Sequence, residues 1–217
     1  MAASVAVLGG SFDPLHLGHL ALVKAALEQI KPDCLLLLPC ATPPHKANLV
    51  SSAEMRLAML QAAVTELADS RLEIDVREFE REGASYSLLS LQELRAKYGK
   101  ACSLNFIIGW DSLQSLDRWF QWRELFALCN FVIAKRPGYT ELESAEIRKE
   151  KQQREVEAAQ LNQHSAGAMA ELPMPAWPIS SSELRAALRA HCDDSYLRKF
   201  ISPAVLDLIR KQALYSA

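Results

Sequence analysis

Two histidines three residues apart, His16 and His19, follow the pair Gly9–Gly10 at the end of an apolar run that begins at Ser4. The glycines permit a tight turn and close approach of the backbone to a ligand. A helical pattern begins near Leu17, and a helix start offers backbone N–H groups and the positive end of the helix dipole to an anion. Residues three apart share a helix face, so both imidazoles are expected to address the same group. Gly18 between them is read as leaving out a side chain where a ligand must come close. A pair of histidines at a helix start is by itself more often packing than chemistry. Here it coincides with a Gly turn at the carboxyl end of a first strand, where open parallel sheets bind ligands. A GxGxxG fingerprint is absent, which argues against a dehydrogenase with a bound dinucleotide. The pattern suits triphosphate chemistry.

A second candidate lies far along the chain, at Ile179-Ser180-Ser181-Ser182-Glu183-Leu184-Arg185. Ser180 with Glu183 three residues on is a capping box, opening a helix ahead of the apolar Leu184 and Leu188. A capped helix start is also what a phosphate site uses. Arg185, one turn in, supplies a planar multidentate donor for the β- and γ-phosphates of a nucleotide, unless it is only a solvated surface charge.

The elements that must position these groups are legible in the first 135 residues, where short apolar runs alternate with helical patterns, the sign of strand-helix-strand units and a parallel sheet. Strands are predicted at Ser4–Leu8, Cys34–Leu38, Arg71–Val76, Leu104–Ile108 and Asn130–Ala134. "CLLLLP" and "NFIIG" are apolar without alternation, as expected of central strands covered on both faces. Helices are predicted at Leu17–Ile30, Ser52–Ala68, Ser87–Tyr98 and Trp122–Cys129. The stretch from Thr140 to His164 is rich in Glu, Lys, Arg and Gln, and its interleaved charges favour an exposed helix over an irregular excursion. "ELPMPAWP" reads as a short edge strand and loop, followed by two or three helices from Ser180 to Tyr215. The expected fold is α/β: a Rossmann-like open parallel sheet with helices on both faces and a C-terminal helical segment, forming one domain over residues 1–217.

The chain has 217 residues, of which 50% are hydrophobic and 23% charged, as in ordinary globular proteins. A net charge of −2 argues against a general nucleic-acid binder, which carries a basic patch. No signal-peptide pattern or run of about 18 apolar residues is present, so a cytoplasmic location without membrane association is expected. Five cysteines with no close CxxC pair are expected to be free thiols, and no protein-held metal site is expected.

GGSFDPLHLGH and ISSSELR together resemble the HxGH and ISSTxxR signatures of the nucleotidyltransferase superfamily, which is related to the class I aminoacyl-tRNA synthetases. Between them, "PPHK" ending at Lys46, Arg56, "SYS" at Ser85–Ser87, "IIGWDSL" at Ile107–Leu113, Trp119 and "RPG" from Arg136 follow the order of the bacterial nicotinate-nucleotide adenylyltransferases. The resemblance covers nearly the whole chain, closing with "VLDLIRKQALY". Ser11, Ser87 and Ser182 stand where that family often has threonine, and each keeps the hydroxyl. Thr140–His164 is the least family-like part.

The resemblance implies adenylyl transfer from ATP to nicotinate mononucleotide, giving nicotinate adenine dinucleotide and pyrophosphate by in-line attack on the α-phosphate, with Mg²⁺ arriving on ATP. It places His16, His19, Lys46 and Arg185 as catalytic. It places Gly9, Gly10, Ser11, Phe12, Gly18, Gly109, Asp111, Ile179, Ser180 and Ser181, with the two histidines and Arg185, on ATP. It places Ser11, His45, Lys46, Tyr86, Ser87, Leu88, Trp119 and Arg136 on the mononucleotide. Without it, Gly109–Asp111 reads as a turn and helix cap, and Trp119 and Trp122 read as core. A pantetheine-phosphate adenylyltransferase and a regulator that kept the fold without turnover are the rival readings; a homo-oligomer is compatible with any of them.

Overall fold

The computed structural model describes residues 3–43, 49–135, 143–174 and 177–215. Six strands, β1 (Ser4–Gly10), β2 (Cys34–Pro39), β3 (Leu72–Ile74), β4 (Ser103–Gly109), β5 (Asn130–Lys135) and β6 (Met169–Pro173), form a parallel sheet in the order β3-β2-β1-β4-β5-β6. The helices are α1 (Leu17–Gln29), α2 (Ala53–Leu67), α3 (Arg77–Glu80), α4 (Ser87–Tyr98), α5 (Trp110–Gln114), α6 (Trp122–Leu128), α7 (Ala145–Arg154), α8 (Ser181–Arg189), α9 (Asp194–Leu197) and α10 (Pro203–Lys211). Short 3₁₀ turns span Leu116–Arg118 and Ala158–Gln163.

The strand residues divide by parity, because successive side chains point to opposite faces. Ala6, Leu8, Leu35, Leu37, Val132 and Ala134 pack with Val23 of α1, Met59 and Leu60 of α2, and Leu184 and Val205 of the C-terminal helices. Val5, Val7, Leu36, Leu38, Phe131 and Ile133 pack with Leu91 and Leu94 of α4, Leu113 of α5 and Leu125 of α6. Two covered faces explain why these strands read as unbroken apolar runs. The fold is the Rossmann-like α/β architecture expected.

Three local features depart from the sequence reading. The strand predicted over 71–76 is only Leu72–Ile74, since the Asp75 carboxylate accepts the Arg77 N–H at 3.1 Å and turns the chain into the unforeseen α3. The segment after β4, where no helix is predicted beyond the cap at Gly109–Asp111, forms α5 followed by a 3₁₀ turn. The charged stretch, described from residue 143, is helical and packed: Ser144 caps α7, Ile147 and Leu161 are fully buried, and Asn162 donates to the Ile30 carbonyl at 2.7 Å. The five cysteines are free thiols.

Candidate active site

Successive connections leave β1 toward β2 on one side and reach β4 on the other, so the carboxyl ends of β1 and β4 part and leave a crevice. A cavity of about 850 Å³ opens there, large enough for small-molecule ligands. Gly9, Gly10 and Ser11 line it from the end of β1, Gly109 and Asp111 from the end of β4, and His16 and His19 from the start of α1. Ser180, Ser181, Ser182 and Arg185 close it from α8, and Ser87 and Trp119 from the side of α4 and the 3₁₀ turn. The two sequence signatures therefore meet in space.

The histidine rings lie 3.8 Å apart between centroids, tilted by 35°. His19 Nδ1 accepts the His16 backbone N–H at 3.2 Å, which assigns the ring proton to Nε2 and makes that atom a donor. Phe12, buried and in the left-handed region at φ 49°, sets its ring edge against His19 at 5.2 Å. Its side chain thus supports His19 and does not line the cavity. The amide donors at this helix start are fewer than the sequence suggests. The Leu17 N–H goes to the Phe200 carbonyl at 2.7 Å, and the His19 N–H to the His16 carbonyl at 2.9 Å.

Gly18 makes room for the protein, not directly for a ligand. A Cβ there would sit 3.0 Å from His16 Cε1 and Nδ1 and 3.3 Å from Trp177 Cβ. Gly18→Ala is therefore expected to displace the His16 ring and lower turnover about tenfold, with a smaller effect on folding, because misplacing a reacting group by a fraction of an ångström is costly. Steady-state rates beside thermal melts check this; an unchanged rate would show that the ring position is not critical.

Arg185 is half-buried and bound, not a free surface charge. Its Nη1 donates to the Asp13 carbonyl and its Nη2 to Ser182 Oγ at 3.1 Å. The capping box predicted from the sequence is formed: Ser180 Oγ accepts the Glu183 N–H at 3.2 Å, and the Glu183 carboxylate accepts the Ser180 N–H at 2.7 Å. Ser181 Oγ donates to the Pro14 carbonyl at 3.3 Å, tying α8 to the histidine segment again, while the Ile179 side chain is buried.

On the opposite wall, Ser85 Oγ accepts the Ala41 and Thr42 N–H groups at 3.1 Å each, fixing the turn after β2. Arg56, only 2% exposed, donates to the carbonyls of Ser11 and Cys40 and lies over the Phe79 ring, so it braces the loops after β1 and β2 from within. Tyr86 stacks its ring on Phe120 at 4.8 Å and makes no side-chain cap to α4, and the Leu88 side chain is in the core. Of Tyr86, Ser87 and Leu88, only Ser87 lines the cavity. Trp119 is half-buried at the wall with its edge toward Phe106, whereas Trp122 is core. His45, Lys46 and Arg136 lie outside the described residues.

Cys40 also lines the cavity, but burial, with Glu78 nearby, pushes its thiol up to about 11, so it is a neutral thiol and a poor nucleophile at neutral pH. The sequence reading does not single out Asp13, which is 1% exposed and accepts the Val50 N–H at 2.8 Å. An acidic residue directly between the Gly turn and the histidines was the available signal. No group of three or more His, Cys, Asp or Glu side chains suited to a metal ion occurs among the described residues. No helix among them is long and apolar enough to cross a membrane.

The family model described as cytidylyltransferase-like matches residues 7–187. A protein of Chromobacterium violaceum named "Probable nicotinate-nucleotide adenylyltransferase" is 39% identical, over 99% of this chain and 100% of its own. One of the same name from Cellvibrio japonicus is 35% identical over 99% and 100%. The solved structure of Plasmodium falciparum nicotinic acid mononucleotide adenylyltransferase complexed with NaAD superposes with a TM-score of 0.74 over 98% of this chain and 97% of that one, at 19% identity, which is a likeness of fold.

Proposed function

This chain belongs to the cytidylyltransferase-like family and, within it, to the nicotinate-nucleotide adenylyltransferases, and we propose that it transfers the AMP part of ATP to nicotinate mononucleotide. The observation that carries this is the meeting of the His16–His19 pair and Arg185 in one cavity at the carboxyl ends of β1 and β4. A 5′-phosphate oxygen attacks the α-phosphorus, the bond to the bridging oxygen of the β-phosphate breaks, and pyrophosphate leaves with nicotinate adenine dinucleotide as the other product. A phosphate oxygen is already a competent nucleophile at neutral pH. No covalent intermediate is needed, in keeping with the neutral Cys40.

The protein's task is then positioning and charge stabilisation. His19 Nε2–H and the His16 ring address the α-phosphate oxygens as charge grows on them. Arg185, already oriented by Asp13 and Ser182, holds the β- and γ-phosphates, with Lys46 neutralising further charge and Ser11 bonding at the turn. Gly109 and Asp111 take the nucleoside side of ATP. Trp119 stacks on the pyridine ring, and His45 and Arg136 complete the mononucleotide site. A cytoplasmic location belongs to the same proposal, since the reaction draws on Mg-ATP.

The donor set fits Mg²⁺ as a companion of the triphosphate. Asp13, the buried carboxylate of the histidine segment, has its oxygens taken by the Val50 and Ser51 N–H groups and the Tyr215 hydroxyl, so the ion would keep phosphate oxygens and waters as its ligands and not a protein cage. When bound, Mg²⁺ neutralises charge on the departing pyrophosphate.

Pyrophosphate release from Mg-ATP with nicotinate mononucleotide, nicotinamide mononucleotide and phosphopantetheine as acceptors tests the assignment. Release with phosphopantetheine alone, or with none of the three, would overturn it. Arg185→Ala is expected to raise the Michaelis constant for ATP about tenfold or more, and Arg185→Lys to recover only part of the loss because the planar fork is gone. Kinetics with varied ATP check this, and unchanged constants in the alanine variant would remove Arg185 from the triphosphate.

A further inference from the structure

We propose that Tyr215 is a positioning residue for this site, fixing the cavity wall at Leu49–Ser51 against the histidine segment; the inference rests on the transfer reaction proposed above. Tyr215 lies beyond α10, is 5% exposed, and holds a left-handed backbone conformation at φ 65° that a bulky residue adopts only when its surroundings require it. Its hydroxyl donates to Asp13 Oδ1 at 2.6 Å and accepts the Ser51 hydroxyl at 2.6 Å. Asp13 Oδ1 also accepts the Ser51 N–H at 3.3 Å, and Oδ2 the Val50 N–H at 2.8 Å. Asp13, Ser51 and Tyr215 thus close a ring of hydrogen bonds among three segments distant in sequence.

This ring does more than satisfy a buried carboxylate. Asp13 stands between the Gly turn and His16, and its carbonyl receives Arg185. Leu49 and Val50 line the cavity directly. A shift of Leu49–Ser51 therefore moves one wall of the cavity relative to both histidines and the arginine. Charge-assisted bonds of this kind are about twice as strong as neutral ones. Without the hydroxyl, Asp13 Oδ1 and Ser51 Oγ each lose a partner in a place water reaches poorly. A phenylalanine would keep the ring's packing and remove only the connection, which separates positioning from bulk.

Tyr215→Phe and Ser51→Ala in the full chain test this, with turnover at saturating Mg-ATP and nicotinate mononucleotide, thermal melting, and amide exchange at Val50 and Ser51. We expect kcat to fall about tenfold in either variant and the losses not to add in the double variant. Exchange at Val50 and Ser51 is expected to accelerate at least about tenfold while core amides of β1 and β4 keep their protection. A lowered melting temperature with unchanged kcat, or unchanged exchange at Val50 and Ser51, would reduce Tyr215 to a stability residue and overturn the proposal. Should Tyr215→Phe not fold, Ser51→Ala breaks the same ring and is read by the same criteria. A wild type inactive with nicotinate mononucleotide would overturn the proposed function and this role with it, whereas an active wild type beside equally active variants would overturn the role alone.

Discussion

His19→Ala is expected to lower turnover by at least about a hundredfold while leaving the fold and the ATP dissociation constant nearly unchanged, because a donor aimed at developing charge matters most in the transition state. The imidazole is already oriented: Nδ1 receives the His16 N–H, which puts the ring proton on Nε2, and Phe12 supports one side. Alanine removes that donor without opening the core, since Phe12 and Leu20 remain packed. His16→Ala is expected to lose a similar factor, and the double variant little more than either single one, since groups acting as a unit are non-additive. Single-turnover rates with Mg-ATP and nicotinate mononucleotide, beside equilibrium ATP binding, provide the check. Turnover within a few-fold of wild type for His19→Ala would sink the assignment, and a large loss of ATP affinity would recast the histidine as a ground-state contact.

A preference of about a hundredfold or more in kcat/KM for nicotinate over nicotinamide mononucleotide is the second large effect expected. It rests on the mononucleotide site proposed at the start of α4. A helix start leaves its first backbone N–H groups without intrahelical acceptors, and Tyr86, at the cap position, supplies no side-chain acceptor. The Leu89 and Ser90 N–H groups turn back to the Tyr86 carbonyl, and in the proposed site the Ser87 and Leu88 amides are the donors to the ligand. There a pyridine carboxylate would accept from both and gain from the positive helix end. A carboxamide presents its own NH₂ donor to one of them, and such mispairing costs roughly 1–3 kcal/mol per buried group, more when a charged acceptor is lost. Trp119→Ala removes the stacking face proposed for the pyridine ring and is expected to weaken both acceptors while keeping most of the preference. The comparison is kcat/KM for both mononucleotides at fixed Mg-ATP, in wild type and in Trp119→Ala. Equal use of the two by the wild type would remove the acid preference and leave adenylyl transfer untouched.

What the sequence by itself determined about this protein is local. The apolar runs at Cys34–Leu38 and Leu104–Ile108, the Gly turn into α1 and the Ser180–Glu183 capping box are each encoded within a few residues, and each formed where the pattern placed it. The two signatures also carried the family, because motif types and their order survive without coordinates. Tertiary structure decided what those residues touch. Gly18 is small on account of the His16 ring and Trp177, the Leu17 amide is claimed by Phe200, and Arg185 is held by Asp13 and Ser182. The Asp13–Tyr215 bond joins residues 202 positions apart, and no periodicity or spacing rule extends that far. Local patterns fix hydrogen bonds that close within one helical turn or strand, whereas a pairing between distant segments exists only after the sheet and both helical layers have brought them together.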